Sequence, residues 1–170
     1  MTVAMMVDWE TLDSKSTAAV RSVGWAIFCY DTKQILSTGY IDGINIDAQL
    51  KLGRTVSWST LCWWMAQGEE AQKAMFTEGF KEGFQGVVMA LGAEFQGHEC
   101  TEIWGNGTDF DTQITAGLLE LINLQPFWNF RKQRCYREFM TGKQKIHKPE
   151  ISHHAMHDAI AQAKNVLEYI

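Results

Sequence analysis

Val3-Ala4-Met5-Met6-Val7-Asp8-Trp9-Glu10 is apolar at every position until it meets two acids. Read as a strand, it sends Val3, Met5, Val7 and Trp9 to one side and Ala4 and Met6 to the other. That pattern belongs to a central strand covered on both faces. Asp8 and Glu10 then share one face at its C-terminal end. Two acids there are costly to desolvate unless something neutralises them, and a hard divalent cation such as Mg²⁺ does so with carboxylate oxygens as ligands.

Two further strands follow, Gly24 to Tyr30 and Ile35 to Ile41, joined by the polar turn Asp31-Thr32-Lys33-Gln34, so the chain opens as an antiparallel meander. Ser57 is placed to cap a short helix through Ala66, and Glu69 to Phe76 reads as another. Thr77 is placed to cap a longer helix in which Phe76, Phe80, Phe84, Val87 and Leu91 recur at helical spacing. Thr101 to Trp104 reads as a strand, Gly105-Asn106-Gly107 as a turn, and Asp109 to Ile122 as a helix. Phe127 to Arg131 follows Pro126 as an edge strand, then comes a helix near Cys135 to Met140. The closing helix runs from His154 to Tyr169 with Met156, Ile160, Ala163, Leu167 and Ile170 as its buried stripe. The order β-β-β-α-β-α-β-α implies an α/β fold with a mixed sheet and helices on both faces.

The 170 residues suit one domain, taken as 1–170, and 46% apolar with 21% charged residues excludes disorder and coiled coil. Apolar runs such as Gly86 to Ala93 are far shorter than the roughly 20 residues of a membrane span. No basic leader precedes the first strand, and the four cysteines lie 33 to 38 residues apart. They read as reduced thiols, mostly core, in a cytoplasmic protein. Seven of the fifteen Lys and Arg fall between Arg131 and Lys148 against one acid, Glu138. That stretch is +6 and the remainder −11, so the chain is built to hold a polyanion in one place and cations in another.

Two further acid motifs stand far from the first. In Trp104-Gly-Asn106-Gly-Thr-Asp109-Phe110-Asp111 a strand, glycine turn and helix start would raise either Asp109 or Asp111 beside the first strand. In His153-His154-Ala155-Met156-His157-Asp158 an acid lies one turn into a helix, between Ala155 and Ala161, whose small size lets that face approach a sheet closely.

Together, Asp-x-Glu-Thr-Leu, Trp-Gly-Asn-Gly-x-x-Phe-Asp and His-His-Ala-Met-His-Asp resemble the DEDDh exonucleases, the DnaQ-like branch of the ribonuclease H-like superfamily. Small phage exonuclease A-type and mycobacterial exoribonuclease-type enzymes are the nearest in pattern. The resemblance implies a ribonuclease H-like five-stranded sheet: strands 1–3 form the meander, and strands 4 and 5 run parallel to strand 1. It implies a metal-dependent 3′–5′ exonuclease that releases nucleoside 5′-monophosphates from single-stranded DNA or RNA. Asp8, Glu10, Asp111 and Asp158 would be ligands of two Mg²⁺ or Mn²⁺ ions, with Asp111 preferred to Asp109 because the motif acid follows the aromatic Phe110. His153 would be the general base, with His154 a possible substitute.

Thr11 and Leu12 match positions that contact the terminal nucleotide, and Asn106, Arg131 and Arg134 complete the expected substrate contacts. Arg137, Lys143, Lys145 and Lys148 are further candidates to hold phosphates or cover the cleft. Trp9, Trp58 and Trp63 are candidate stacking surfaces. The stretch Gly142 to Pro149 is a candidate gating loop. The resemblance also admits a homodimer and no membrane partner. A weakly catalytic module that binds 3′ ends or nucleotides is the alternative. A zinc site built from His153, His154, His157 and a cysteine is a third.

Overall fold

The computed structural model describes residues 1–76, 83–107 and 109–170. Its five-stranded sheet has the order β3-β2-β1-β4-β5. β1 (Val3–Thr11), β2 (Val20–Cys29) and β3 (Gln34–Ile41) form the antiparallel meander. β4 (Glu102–Gly105) runs parallel to β1, and β5 (Gln133–Cys135) runs parallel to β4. The mixed sheet inferred from the element order is the one observed.

The double-sided reading of β1 is explained by what covers it. Val3, Met5, Val7 and Trp9 enter the larger core with Val87, Val88 and Leu91 of α4 (Phe84–Gly97) and Ile114 and Leu118 of α5 (Asp111–Glu120). Ala4 and Met6 face the opposite core, where Ala159, Ala163 and Val166 of α7 (Ala155–Glu168) pack. Asp8 and Glu10 therefore emerge on the α7 face.

The helix α2 (Trp58–Met65) begins at Ser57, whose hydroxyl accepts the Thr60 N–H at 3.2 Å, and α3 spans Glu69–Phe76. The predicted cap Thr77 and the neighbouring Phe80 lie outside the described residues. The helix predicted to continue from them is observed from Phe84.

Several expectations need correcting. Phe127 to Arg131 is not an edge strand: a 3-10 turn occupies Phe130–Lys132, capped by Asn129, and pairing starts only at Gln133. A helix, α1 (Ile46–Lys51), has no counterpart among the predicted elements; Asn45 caps it, and six residues are too few to show a periodicity. The buried stripe of α7 is only partly the expected one, Ala163 and Leu167 being buried as read. Ala155, Ala159, Ala163 and Val166 are fully buried, whereas Met156 and Ile160 are half-buried and Ile170 is exposed. The cysteines are all free, but only Cys29 and Cys100 are core, Cys62 being exposed. Among the described residues no helix is long and apolar enough to cross a membrane.

The Gly142 to Pro149 stretch is tethered rather than free. Asn165 of α7, itself buried, accepts the His147 N–H and donates to the His147 carbonyl, both at 2.8 Å. Tyr169 donates its hydroxyl to the Gln144 carbonyl.

Candidate active site

Close approach of backbone to backbone brings the third acid motif to the first. Asp8 is paired across the sheet with Gly24. A Cβ on Gly24 would lie 2.1 Å from the Met156 nitrogen and 2.2 Å from the Ala155 carbonyl carbon. Only the absence of a side chain at Gly24 lets the start of α7 settle on β2. Asp158 then stands one turn into α7 over Asp8 and Glu10. Carboxylate oxygens of Asp8, Glu10 and Asp158 all lie within 4.8 Å of one another.

The middle motif is held by backbone amides. Asp111 opens α5 and is only 2% exposed; its Oδ1 accepts the Trp9 N–H at 3.0 Å and its Oδ2 the Asn106 N–H at 2.7 Å. Gly105 leaves room for it, since a Cβ there would sit 3.0 Å from the Asp111 Cβ. A second latch closes from the other side. Trp9 Nε1 donates to Thr115 Oγ1 at 2.9 Å, and Thr115 donates to the Asp111 carbonyl at 2.8 Å. Asp109 is exposed.

Asp8, Glu10, Asp111, Asp158, Asn106, His153, Gln162 and Arg137 thus line one cavity of about 250 Å³. Gln162, which the sequence did not single out, donates to Asp8 Oδ1 at 2.8 Å. Its position four residues after Asp158 was the signal available, since i and i+4 share a helix face.

The electrostatics follow from this crowding. Burial, then the charges of Asp111, Glu10 and Asp158, hold the Asp8 carboxyl well above the usual carboxylate range. Burial, then Asp158 and Asp111, pushes Glu10 up to about 8. Burial raises Asp111 to about 6, against the lowering effect of the Trp9 and Asn106 amides and of Arg137. Asp158 is also raised by burial, and the His153 charge and the His154 N–H oppose that rise. Four carboxyls this close do not ionise together without a compensating cation. The donor set is all hard oxygen, which fits Mg²⁺ or Mn²⁺ better than softer metals.

His153 precedes α7 with φ of +60°, a left-handed backbone that turns its ring into the cavity against Trp63, centroids 4.7 Å apart. His154 goes elsewhere: its ring lies tilted over Tyr40 at 4.3 Å and meets His157 edge-on at 4.6 Å. Among the described residues the metal-ligating group is Asp8, Glu10 and Asp158, with no histidine or cysteine in it.

The expected substrate residues divide. Thr11 lines a neighbouring cavity of about 380 Å³ that shares Trp9, Glu10 and Phe110 with the acid cavity and includes Trp63 and Trp64. Leu12 instead packs on Trp64, Ala71 and Met75. Trp9 is 3% exposed and belongs to the core, whereas Trp63 is 45% and Trp58 72% exposed. Arg134 is not at the acids; it pairs with Glu102 at 2.8 Å on the β4–β5 side. Arg131 is exposed over the Phe130 ring. Of the basic run, Arg137 is the residue lining the acid cavity, and it donates to the Asn106 carbonyl at 3.0 Å.

A family model described as the Rv2179c-like 3′-5′ exoribonuclease domain matches residues 3–170. No curated protein sequence matches the chain significantly. Among solved structures, the nuclease domain of 3′hExo, a DEDDh family member bound to rAMP, is 10% identical. The match covers 98% of this chain and 90% of that one, with a TM-score of 0.60. Cell-death related nuclease 4 (CRN-4) is 13% identical over 99% of this chain and 63% of its own, with a TM-score of 0.61. E. coli exonuclease I in complex with a dT13 oligonucleotide is 12% identical, with a TM-score of 0.64. That match covers 99% of this chain but only 40% of the longer enzyme. At these identities the likeness is one of fold.

Proposed function

Because the chain belongs to the Rv2179c-like 3′-5′ exoribonuclease domain family and has the DEDDh exonuclease fold, we propose that its acid cavity hydrolyses single-stranded RNA or DNA from the 3′ end to nucleoside 5′-monophosphates. Asp8, Glu10, Asp111 and Asp158 would hold two Mg²⁺ or Mn²⁺ ions, and His153 would be the general base. The observation that carries this reading is the convergence of acids from residues 8–10, 111 and 158 into one cavity. Bound there, divalent cations supply the Lewis acidity that favours attack on a phosphodiester and departure of the 3′ oxygen.

The chain's own residues do the rest. Gln162 fixes the rotamer of Asp8, and the Trp9 and Asn106 amides fix Asp111, so these carboxylates are oriented before any ligand arrives. His153 accepts the proton of the attacking water at a ring nitrogen. Arg137 offers a cation at the cavity wall for a phosphate oxygen. The terminal nucleoside fits the adjoining cavity of Thr11 and Trp63.

The test is to incubate 5′-labelled single-stranded RNA and DNA oligonucleotides with the protein and Mg²⁺ or Mn²⁺, and to size the products over time. Stepwise 3′ shortening with mononucleotide release is expected, stopped by a chelator and by Asp8→Ala. Full activity in Asp8→Ala would refute the metal assignment. Binding without product on either sugar would favour a 3′-end binding module.

A further inference from the structure

Beyond the acid cavity, on the far side of α6 (Tyr136–Phe139), lies a larger cavity of about 540 Å³. Its walls include Trp104, Phe130, Gln133, Arg134, Glu138 and Phe139. We propose that it binds the part of a single-stranded polynucleotide upstream of the nucleotide being removed, with a base against Phe130 and the backbone along the surrounding cations. This extends the exonuclease reading of the acid cavity and rests on it.

Phe130 is 77% exposed, an aromatic face presented to solvent with nothing in the core to hold it there. Cations accompany the aromatic rings of this cavity. The Arg131 guanidinium lies 5.5 Å from the Phe130 ring centroid, and Lys143 Nζ lies 4.3 Å over Phe139. Arg134 and Lys132 stand at 2.8 and 3.5 Å from the same Glu102 carboxylate oxygen, so two cations share one acid. Counting Glu138 as well, the surroundings remain positive. Exposed aromatic rings set among positive charges are what a single strand needs, because every base has a stacking face and every link a phosphate.

Position selects the upstream segment. Gly105 of β4 pairs with Cys135 of β5, so the two cavities flank the same strand ends. Arg137, held to the Asn106 carbonyl, lines the acid cavity, and the next two residues of α6, Glu138 and Phe139, line the Phe130 cavity. The cavity containing Thr11 lies against the acids through Trp9, Glu10 and Phe110, and takes no part in the Phe130 side. A strand with its terminal nucleoside beside Thr11 and its scissile phosphate at the acids continues past Arg137 towards Phe130. On this path the base against Phe130 lies further upstream than either nucleotide of a dinucleotide.

The test compares a dinucleotide with an octanucleotide. For Phe130→Ala, kcat/KM with Mg²⁺ should fall about tenfold on the octanucleotide, within the range for losing one stacked base, and stay unmoved on the dinucleotide. Octanucleotide binding under a chelator, read by fluorescence anisotropy, should weaken by the same factor. Arg131→Ala should flatten the dependence of log affinity on log salt by about 0.7 for each phosphate that the protein no longer neutralises. Equal losses on both lengths, or an unchanged octanucleotide, would overturn the proposal. If the protein cuts neither length, the exonuclease reading fails separately. Anisotropy then still decides, since unchanged octanucleotide affinity in Phe130→Ala leaves no upstream site.

Discussion

His153 carries two features that a loop residue rarely combines: a left-handed backbone in a residue with a Cβ, and a ring packed edge-on against a half-exposed tryptophan. Such a conformation costs roughly 1–2 kcal/mol and persists only when the surroundings impose it. Its consequence is to direct the ring at the acids while His154, the next residue, caps α7 and turns to Tyr40. His153→Ala should therefore lower the single-turnover rate by about 10²–10⁴-fold, the usual contribution of a general base. Asp158→Asn should cost more, because it removes a member of the acid cluster itself. His154→Ala should leave the rate near that of the unsubstituted protein, since its N–H to Asp158 survives the change. A large loss in His154→Ala with activity retained in His153→Ala would exchange their roles. The sequence favours His153, five residues before Asp158, yet keeps His154 as a substitute because the direction of each ring depends on a backbone dihedral that spacing does not encode.

At the scale of elements, what is legible in the sequence is what repeats. The alternation in Val3 to Trp9 specifies a strand covered twice, and the Ser57 cap specifies where α2 starts. Contacts without a period are not legible. Gly24 reads as an ordinary strand start, yet it is where α7 meets β2 backbone against backbone. On α7, Ala163 and Leu167 are buried as read and the small Ala155 makes the close approach read from it; what the pattern misses is that Ala159 and Val166 take the places given to Met156 and Ile160. Gly24→Ala tests this directly. The added methyl must push α7 from β2, costing about 1–3 kcal/mol by overpacking and drawing Asp158 away from Asp8 and Glu10. Chemical denaturation should show the loss, and activity should fall far more than stability does. Normal activity in a stably folded Gly24→Ala protein would mean that the acids do not depend on this close approach.

For the whole molecule, the acid cavity is a site the fold sustains at a cost, and pH reveals it. The carboxyls of Asp8, Glu10, Asp111 and Asp158 are all raised, led by burial in each. A raised carboxyl keeps its proton longer in the folded than in the unfolded chain. Its contribution is then fully present below the unfolded pKa and is lost as pH climbs through the folded one. With Glu10 at about 8 and Asp8 held well above the usual range, the melting temperature of the chelated protein should fall as pH rises from about 7 to about 8. His154 is lowered by burial, so it acts in the opposite direction only up to about pH 7, below the window used here. Cation binding requires the carboxylates ionised, so stabilisation by Mg²⁺ should grow across the same window. Asp8→Asn separates stability from activity: it removes one buried charge that the others repel. At pH 8 the chelated Asp8→Asn protein should melt higher, by about 2–4 °C for each kcal/mol relieved, while Mg²⁺ adds less to it and nuclease activity disappears. A chelated protein whose melting temperature holds level from about pH 7 to about pH 8, with no gain from Asp8→Asn, would mean that these carboxyls are not held together as charges awaiting a cation.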